Sequence, residues 1–460
     1  MKLRKILLGS VAFLAASSAF AQVHIGGYVD FTSTAAEQRI AVDADGNVTP
    51  SEVIAELGPS QNGIHFLNVD AVASNVEFHT GTWLGSGIGS WYHNATMFPD
   101  RTQGGAGTWA STSIYQAYVI TKFWSEQIKF YSGNFATNGF NAGYVNAGYA
   151  GGVHIDALAM RGVAENISFT GVEWIPNMSV LNGALTGFRA IVGFPISPLT
   201  SDFTNFNSWK HMYKAVKFMG SYKWMRPNLT FNFGIRPNTY SMSTSSGTDF
   251  TESLFGEAFL QVDMPTTIPG IPMLVWTDFR WRNVSVEGDN LTSGKDWSTT
   301  AFASLSGVSI NLPQQVMGWQ FQAGDKFGFY GPHYIAVNEM AFENVLTVQG
   351  THAFAGTPYQ FGFVTSFMYG QDANGGMIKR EVSFCSDLIG YTYDYLQGAT
   401  RPASGSAGRY IGAVAYPYVQ KNFANGFARL GVQLQYTHYQ TSETTQAVTW
   451  RVPVGLTFWY

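Results

Sequence analysis

The run Val448-Thr449-Trp450-Arg451-Val452-Pro453-Val454-Gly455-Leu456-Thr457-Phe458-Trp459-Tyr460 decides the fold. Its even positions are all apolar or aromatic: Val448, Trp450, Val452, Val454, Leu456, Phe458 and Tyr460. Its odd positions are mostly small or polar: Thr449, Arg451, Pro453, Gly455 and Thr457. A strand turns successive side chains to opposite faces, so this one carries a wholly greasy face. A lipid-facing strand of a membrane barrel needs that pattern, with an aromatic residue at the membrane interface.

The same alternation recurs upstream. Leu229, Phe231, Phe233 and Ile235 make one apolar face, and Tyr359, Phe361, Phe363, Phe367 and Tyr369 another. Met273, Val275, Phe279 and Trp281 oppose Trp276, Asp278, Arg280 and Arg282. Ala428, Leu430, Val432, Leu434 and Tyr436 oppose Arg429, Gly431, Gln433, Gln435 and Thr437. Turns at Ser74-Asn75 and Ser125-Glu126 alternate with long polar segments such as 85–110, the long-loop and short-turn rhythm of outer-membrane barrels. The segments count to about 16–20 strands, the range that encloses an aqueous channel. Between residues 152 and 194 an even number of strands does not fit, which marks one strand there as misread.

Composition agrees. Charged residues are 12% of the chain, against about a quarter in soluble domains. The 50 Gly, 23 Tyr, 35 Phe and 13 Trp suit tight turns and aromatic girdles. Loss of the three basic leader residues takes the formal net charge from −4 to −7, a mild acidity that argues against nucleic acid as a partner. Cys385 is the only cysteine, so an intrachain disulfide is excluded. At the front, Lys2, Arg4 and Lys5 precede an apolar run from Ile6 to Ala16, and Ala19-Phe20-Ala21 offers a small-x-small cleavage site. Residues 1–21 therefore read as a cleaved secretory signal peptide and 22–460 as one barrel domain, with an uncleaved anchor helix as the alternative. Beyond that leader no segment offers the roughly 18 uninterrupted apolar residues of a membrane helix. The expected fold is all-β, a transmembrane antiparallel β-barrel; a secreted β-sandwich or β-helix is the soluble alternative.

Both ends resemble the general bacterial (Gram-negative-type) outer-membrane porins. Gln22-Val23-His24-Ile25-Gly26-Gly27-Tyr28-Val29-Asp30 is similar to their opening strand, and Gly455-x-x-Phe458-x-Tyr460 to the terminal signal read by the barrel assembly machinery. Pro453 departs from that pattern, where a polar residue is usual. The resemblance covers about 25 residues of sequence and implies a bacterial outer-membrane location in contact with outer-membrane lipid. It also implies a homotrimer, no cofactor, no catalysis, and passive diffusion of small hydrophilic solutes and ions. By the same resemblance the third long loop, after the fifth strand, folds inward to narrow the pore; here it carries Asn141, Tyr144, Asn146 and Tyr149 and no acid before Asp156. An ordinary surface loop is the alternative.

Strand parity points Asp278, Arg280, Arg282, Arg429 and Arg451 to the lumen as pore-lining candidates, because a charge facing lipid at mid-membrane costs about 2–4 kcal/mol. Asp43, Asp45 and Glu52 have partial calcium-loop spacing, but no helices flank them and Asp-Gly is also a hairpin turn. His65, His79, His93 and His154 stand singly, as interfacial or loop residues, with no Gly-x-Ser-x-Gly elbow nearby. The expected function is a porin. A substrate-preferring channel, for instance for carbohydrate, and a non-conducting adhesin or surface-structural barrel are the rivals.

Overall fold

Alternating strands with one greasy face have two ways to hide their edges, and closure into a ring removes the edges altogether. In the computed structural model the chain takes that route. The structure describes residues 22–56, 62–86, 111–135, 149–150, 153–154, 167–177, 180–196, 217–224, 229–236, 239–242, 250–253, 257–268, 271–284, 286–287, 290–291, 299–312, 316–332, 340–371, 409–439 and 444–460. The signal-peptide reading of residues 1–21 lies outside them.

Twenty-one strands form the main sheet. Three in series, Val48–Pro50, Ile54–Glu56 and Asn62–Val72, run beside the long first strand and make one stave. Two others, Gly426–Gly431 and Gln433–Tyr439, share the same two neighbours and make another. Among the described residues the ring therefore has 18 staves, all antiparallel to their neighbours.

In chain order the staves begin with β1 (Gln22–Asp43), β2 (the three-part stave), β3 (Val76–Ser86), β4 (Ser111–Phe123), β5 (Ile128–Phe135) and β6 (Ile167–Trp174). Next come β7 (Phe188–Ile196), β8 (Lys217–Trp224), β9 (Leu229–Arg236), β10 (Glu257–Ile268), β11 (Ile271–Val284) and β12 (Thr299–Asn311). The ring ends with β13 (Trp319–Tyr330), β14 (Ala341–Ala353), β15 (Tyr359–Gln371), β16 (Arg409–Phe423), the two-part β17, and β18 (Thr444–Trp459).

β18 closes on β1, with Val29 opposite Phe458, Phe31 opposite Leu456 and Ile40 opposite Val448. The last residue is sewn in as well. Tyr460 and Gly27 exchange reciprocal backbone hydrogen bonds of 3.1 Å.

Pro453 breaks no ladder bond that matters, because irregularities flank it on both sides. β1 shifts register between Thr34 and Glu37 opposite it, and β17 is interrupted at Val432. Proline belongs at such bulges.

Polarity is inverted relative to a soluble protein. On β18 the inward Ala447, Thr449 and Arg451 are 2%, 4% and 5% exposed, while the outward Val448, Leu456 and Phe458 are 42%, 41% and 39% exposed. The same contrast runs along β17, where Arg429, Gln433 and Gln435 are buried and Leu430, Val432 and Leu434 exposed. Greasy residues outside and polar residues within suit hydrocarbon as the surrounding solvent.

Aromatic groups rim the outside at two levels. At the short-turn end, Trp319 lies 6.0 Å from Phe321, 5.8 Å from Phe361 and 5.7 Å from Phe363 between ring centroids. At the long-loop end, Phe302 lies 5.9 Å from Phe329 and Phe342 5.6 Å from Tyr369. Between the girdles, register places one carboxylate on the outer wall among the described residues, that of Asp325.

Short and long connections alternate along most of the chain, but the β1–β2 and β17–β18 links at the long-loop end span only residues 44–47 and 440–443, and one link at the other end is long. The link from β6 to β7 is at the short-turn end but runs from Ile175 to Gly187 through a 3₁₀ turn, with Leu181 and Asn182 left-handed (φ 49° and 55°). That longer link, not a missing strand, is what disturbs the count between 152 and 194.

Candidate functional site: the inner wall

Inward side chains come from alternate residues of every stave, so the inner wall is set by register rather than by any local motif. Three sectors are well defined.

The first spans β16 to β1. Arg429 donates through Nε (2.8 Å) and Nη2 (2.5 Å) to the side-chain oxygen of Gln420. Its guanidinium lies 4.1 Å from the Tyr418 ring centroid and 4.9 Å from that of Phe427. Tyr418 in turn covers Gly362, where an added Cβ would run into the ring. Glycine there is a condition of the Arg429 platform, an aromatic closing over a glycine on the neighbouring strand. Arg451 pairs with Glu37 across the closing seam, Nε to Oε2 at 3.4 Å, both side chains being largely buried. Arg429 and Arg451 are both buried, on the side of their staves opposite the exposed Leu430 and Val448.

The second sector spans β2 to β7. His79 is held between two acids, Nδ1 at 2.8 Å from Asp70 and Nε2 at 3.0 Å from Glu77. Its ring stacks on Tyr118 at 4.6 Å. Glu77 also pairs with Lys122 at 2.5 Å, and Lys122 reaches Glu126 on the turn at 3.1 Å. Further along, Glu173 is fully buried; it accepts Nε and Nη2 of Arg189 at 2.8 and 2.6 Å and the Tyr131 hydroxyl at 2.5 Å. A buried carboxylate needs such partners to stay charged. This sector corrects the sequence reading of His79, which belongs to the inner wall and not to a loop or interface. The parity of Asp70, Glu77, Lys122, Glu173 and Arg189 carried the signal, but which charges meet depends on neighbour register.

The third sector is β11 to β13. Asp278 stands opposite Gln261, Arg280 opposite Phe259 and Arg282 opposite Glu257. All three alternate along β11 with the exposed Phe279 and Trp281 and share the parity of buried Trp276. Near this sector lies part of the third long connection. Tyr149–Ala150 and Val153–His154 form a small hairpin that lies against β12 and β13. Those staves stand far round the ring from β5 and β6, between which this connection runs. Tyr149 belongs to that hairpin, while Asn141, Tyr144 and Asn146 lie outside the described residues.

The calcium-spaced acids do something simpler. Asp43 accepts the amides of Asp45 (2.9 Å) and Asn47 (2.8 Å) on Oδ1 and the Asn47 side chain (2.8 Å) on Oδ2. That is an Asx turn closing the β1 hairpin, and Glu52 stands exposed beyond it. Among the described residues there is no group of three or more His, Cys, Asp or Glu arranged to hold a metal. Gly455 of the terminal signal faces in, opposite Thr32 and Arg429, while Phe458 and Tyr460 face out.

A closed antiparallel ring, apolar outside and polar within, is a transmembrane β-barrel. No protein-family profile and no curated protein matches the sequence. Among solved structures, the chain is similar to OmpT, an outer membrane protein of Vibrio cholerae, at 10% identity and a TM-score of 0.38, over 96% of this chain and 98% of that one. It is similar to the outer membrane channel DcaP of Acinetobacter baumannii at 10% identity and a TM-score of 0.42, over 96% and 99%. It is also similar to Pseudomonas aeruginosa OccK2 (OpdF), solved in complex with glucuronate, at 8% identity and a TM-score of 0.43, over 95% and 98%.

Proposed function

We propose that the chain is a bacterial outer-membrane porin whose lumen passes small hydrophilic solutes and ions, without a catalytic step or a cofactor. The observation that carries this reading is the inverted polarity: a greasy, exposed outer wall around an inner wall of paired Arg, Glu, Gln and His. Solute choice would be set by the hairpin against β12 and β13 and by the charges of the inner wall, since pore width and lining charge are what a passive channel has to select with. The leader-like head and the aromatic terminal strand support export and insertion by the barrel assembly machinery.

The test is planar-bilayer conductance of the purified barrel, with reversal potential in a salt gradient. Stepwise ohmic conductance is expected. A folded, heat-modifiable barrel that passes no current overturns the proposal and favours a surface-structural role.

A carbohydrate-preferring channel is the second reading. It is favoured by the inward Tyr118, Tyr131, Tyr416 and Tyr418, one of them under Arg429. Block of the current by millimolar sugar supports it, and an unblocked current counts against it.

A further inference from the structure

The His79 clamp is built around a charge. Nδ1 lies 2.8 Å from Asp70 and Nε2 3.0 Å from Glu77, with the ring part-buried. An ionised carboxylate only accepts, so both contacts are hydrogen bonds only when both ring nitrogens carry a proton. The ring that fits is therefore an imidazolium. A neutral ring sets a bare nitrogen lone pair against a carboxylate oxygen on one side. The elements packed against the clamp carry further titratable groups. On β1, His24 stands opposite Asp70. On β4, Tyr118 stacks on the imidazole at 4.6 Å and Lys122 pairs with Glu77 at 2.5 Å. Glu126 on the turn accepts from Lys122 at 3.1 Å and lies 3.8 Å from Lys129 of β5. Tyr131 of β5 donates to Glu173, outside the cluster. Asp70, Glu77 and Glu126 thus meet Lys122, Lys129 and His79, a set that balances only while His79 is charged.

We propose that His79 sets the ion preference of the channel through its own charge. As an imidazolium it neutralises the acids beside it. When it gives one ring proton to water, the inner wall is left with one carboxylate in excess, and cations are favoured over anions. Of the two acids on the ring, Asp70 is the more open to the water of the passage, 33% exposed against 19% for Glu77, and Glu77 keeps Lys122. Asp70 is thus the carboxylate through which the change reaches a passing ion. At 0.1 M salt a wall charge acts over about 10 Å, so one charge should move the cation-to-anion permeability ratio about twofold. The inference rests on the porin reading.

The experiment measures reversal potential of the whole barrel in planar bilayers across a potassium chloride gradient. It runs from about pH 5.5 to 9, where histidine changes charge and carboxylates ordinarily stay ionised. In parallel, ring-nitrogen NMR of histidine-labelled barrel in lipid follows the His79 protons, its signal identified by its absence in His79→Gln. The potassium-to-chloride permeability ratio should rise about twofold with pH, at the pH where His79 loses its second ring proton. His79→Gln should remove the step and hold the high ratio, while His24→Gln keeps the step. Asp70→Asn, a second variant that leaves the ring in place, should return the high-pH ratio to the low-pH value of the unaltered chain. A ratio unmoved across the His79 titration, a step that survives in His79→Gln, an Asp70→Asn ratio unchanged at high pH, or a His79 ring with a single proton at the acid end each overturns the proposal while the channel reading stands. A folded barrel that passes no current overturns the channel reading, and the proposal with it.

Discussion

Val454→Arg should unfold the barrel more than any other single change on the closing strand, and the reason is depth. A tilted stave crosses the hydrocarbon in about 9–11 residues. Counting up β18 from the aromatic end at Phe458 to Tyr460, that length reaches about Trp450, which sets Val454 near mid-membrane. Val454 faces out and is exposed. Arginine there costs about 2–4 kcal/mol, falling to about 0–1 near the interfaces. At about 1.4 kcal/mol per tenfold, the folding equilibrium should shift roughly 30- to 700-fold. Gln446→Arg, on the same outer face but at the long-loop end, is the matched control and should shift it by less than about tenfold. Reversible urea unfolding in phospholipid vesicles, followed by fluorescence of the 13 tryptophans, reads both. Equal costs at the two positions would mean that the exposed face meets water, and the membrane assignment would fall.

Three further outcomes follow from the same geometry. Deleting Phe458 to Tyr460 removes the Val29 pairing and the reciprocal Gly27–Tyr460 bonds, so it should stop assembly rather than alter conduction; normal insertion of the truncated chain, seen as a heat-modifiable band, would refute this. Gly362→Val should push Tyr418 off its glycine and disturb the Arg429 platform, costing about 1–3 kcal/mol by vesicle unfolding. The Asn47 side-chain amide, followed by its backbone amide, holds the Asp43 carboxyl below its ordinary 3.8. A lowered folded-state value means the turn is fully supported above 3.8 and loosens as pH falls through the lowered value, so Asn47 amide protection should fall in acid and be lost in Asp43→Ala at neutral pH.

What the sequence made legible is what lipid enforces. Outward positions must be apolar every second residue, so Val448 to Phe458 and Leu430 to Tyr436 declare their faces without a structure. The pairing of β18 with β1 follows because closure leaves those two edges to each other. The inner wall is under no such constraint. It accepts Thr449 beside Arg451, or Gly431 beside Gln433, and gives a reader parity without partners. Parity assigns Arg429 and Arg451 to one face of their strands. It was not enough to join Arg451 to Glu37, because the bulge between Thr34 and Glu37 changes which residues of β1 lie opposite β18. His79 shows the same limit more sharply: its two acids sit on its own stave and on the next, and only the register of Asp70 against His79 turns a lone histidine into a clamp. The wall that faces lipid is therefore written in the chain residue by residue. The inner wall is written only in the alignment of neighbouring strands, and it is there that the selectivity of the proposed channel would be decided.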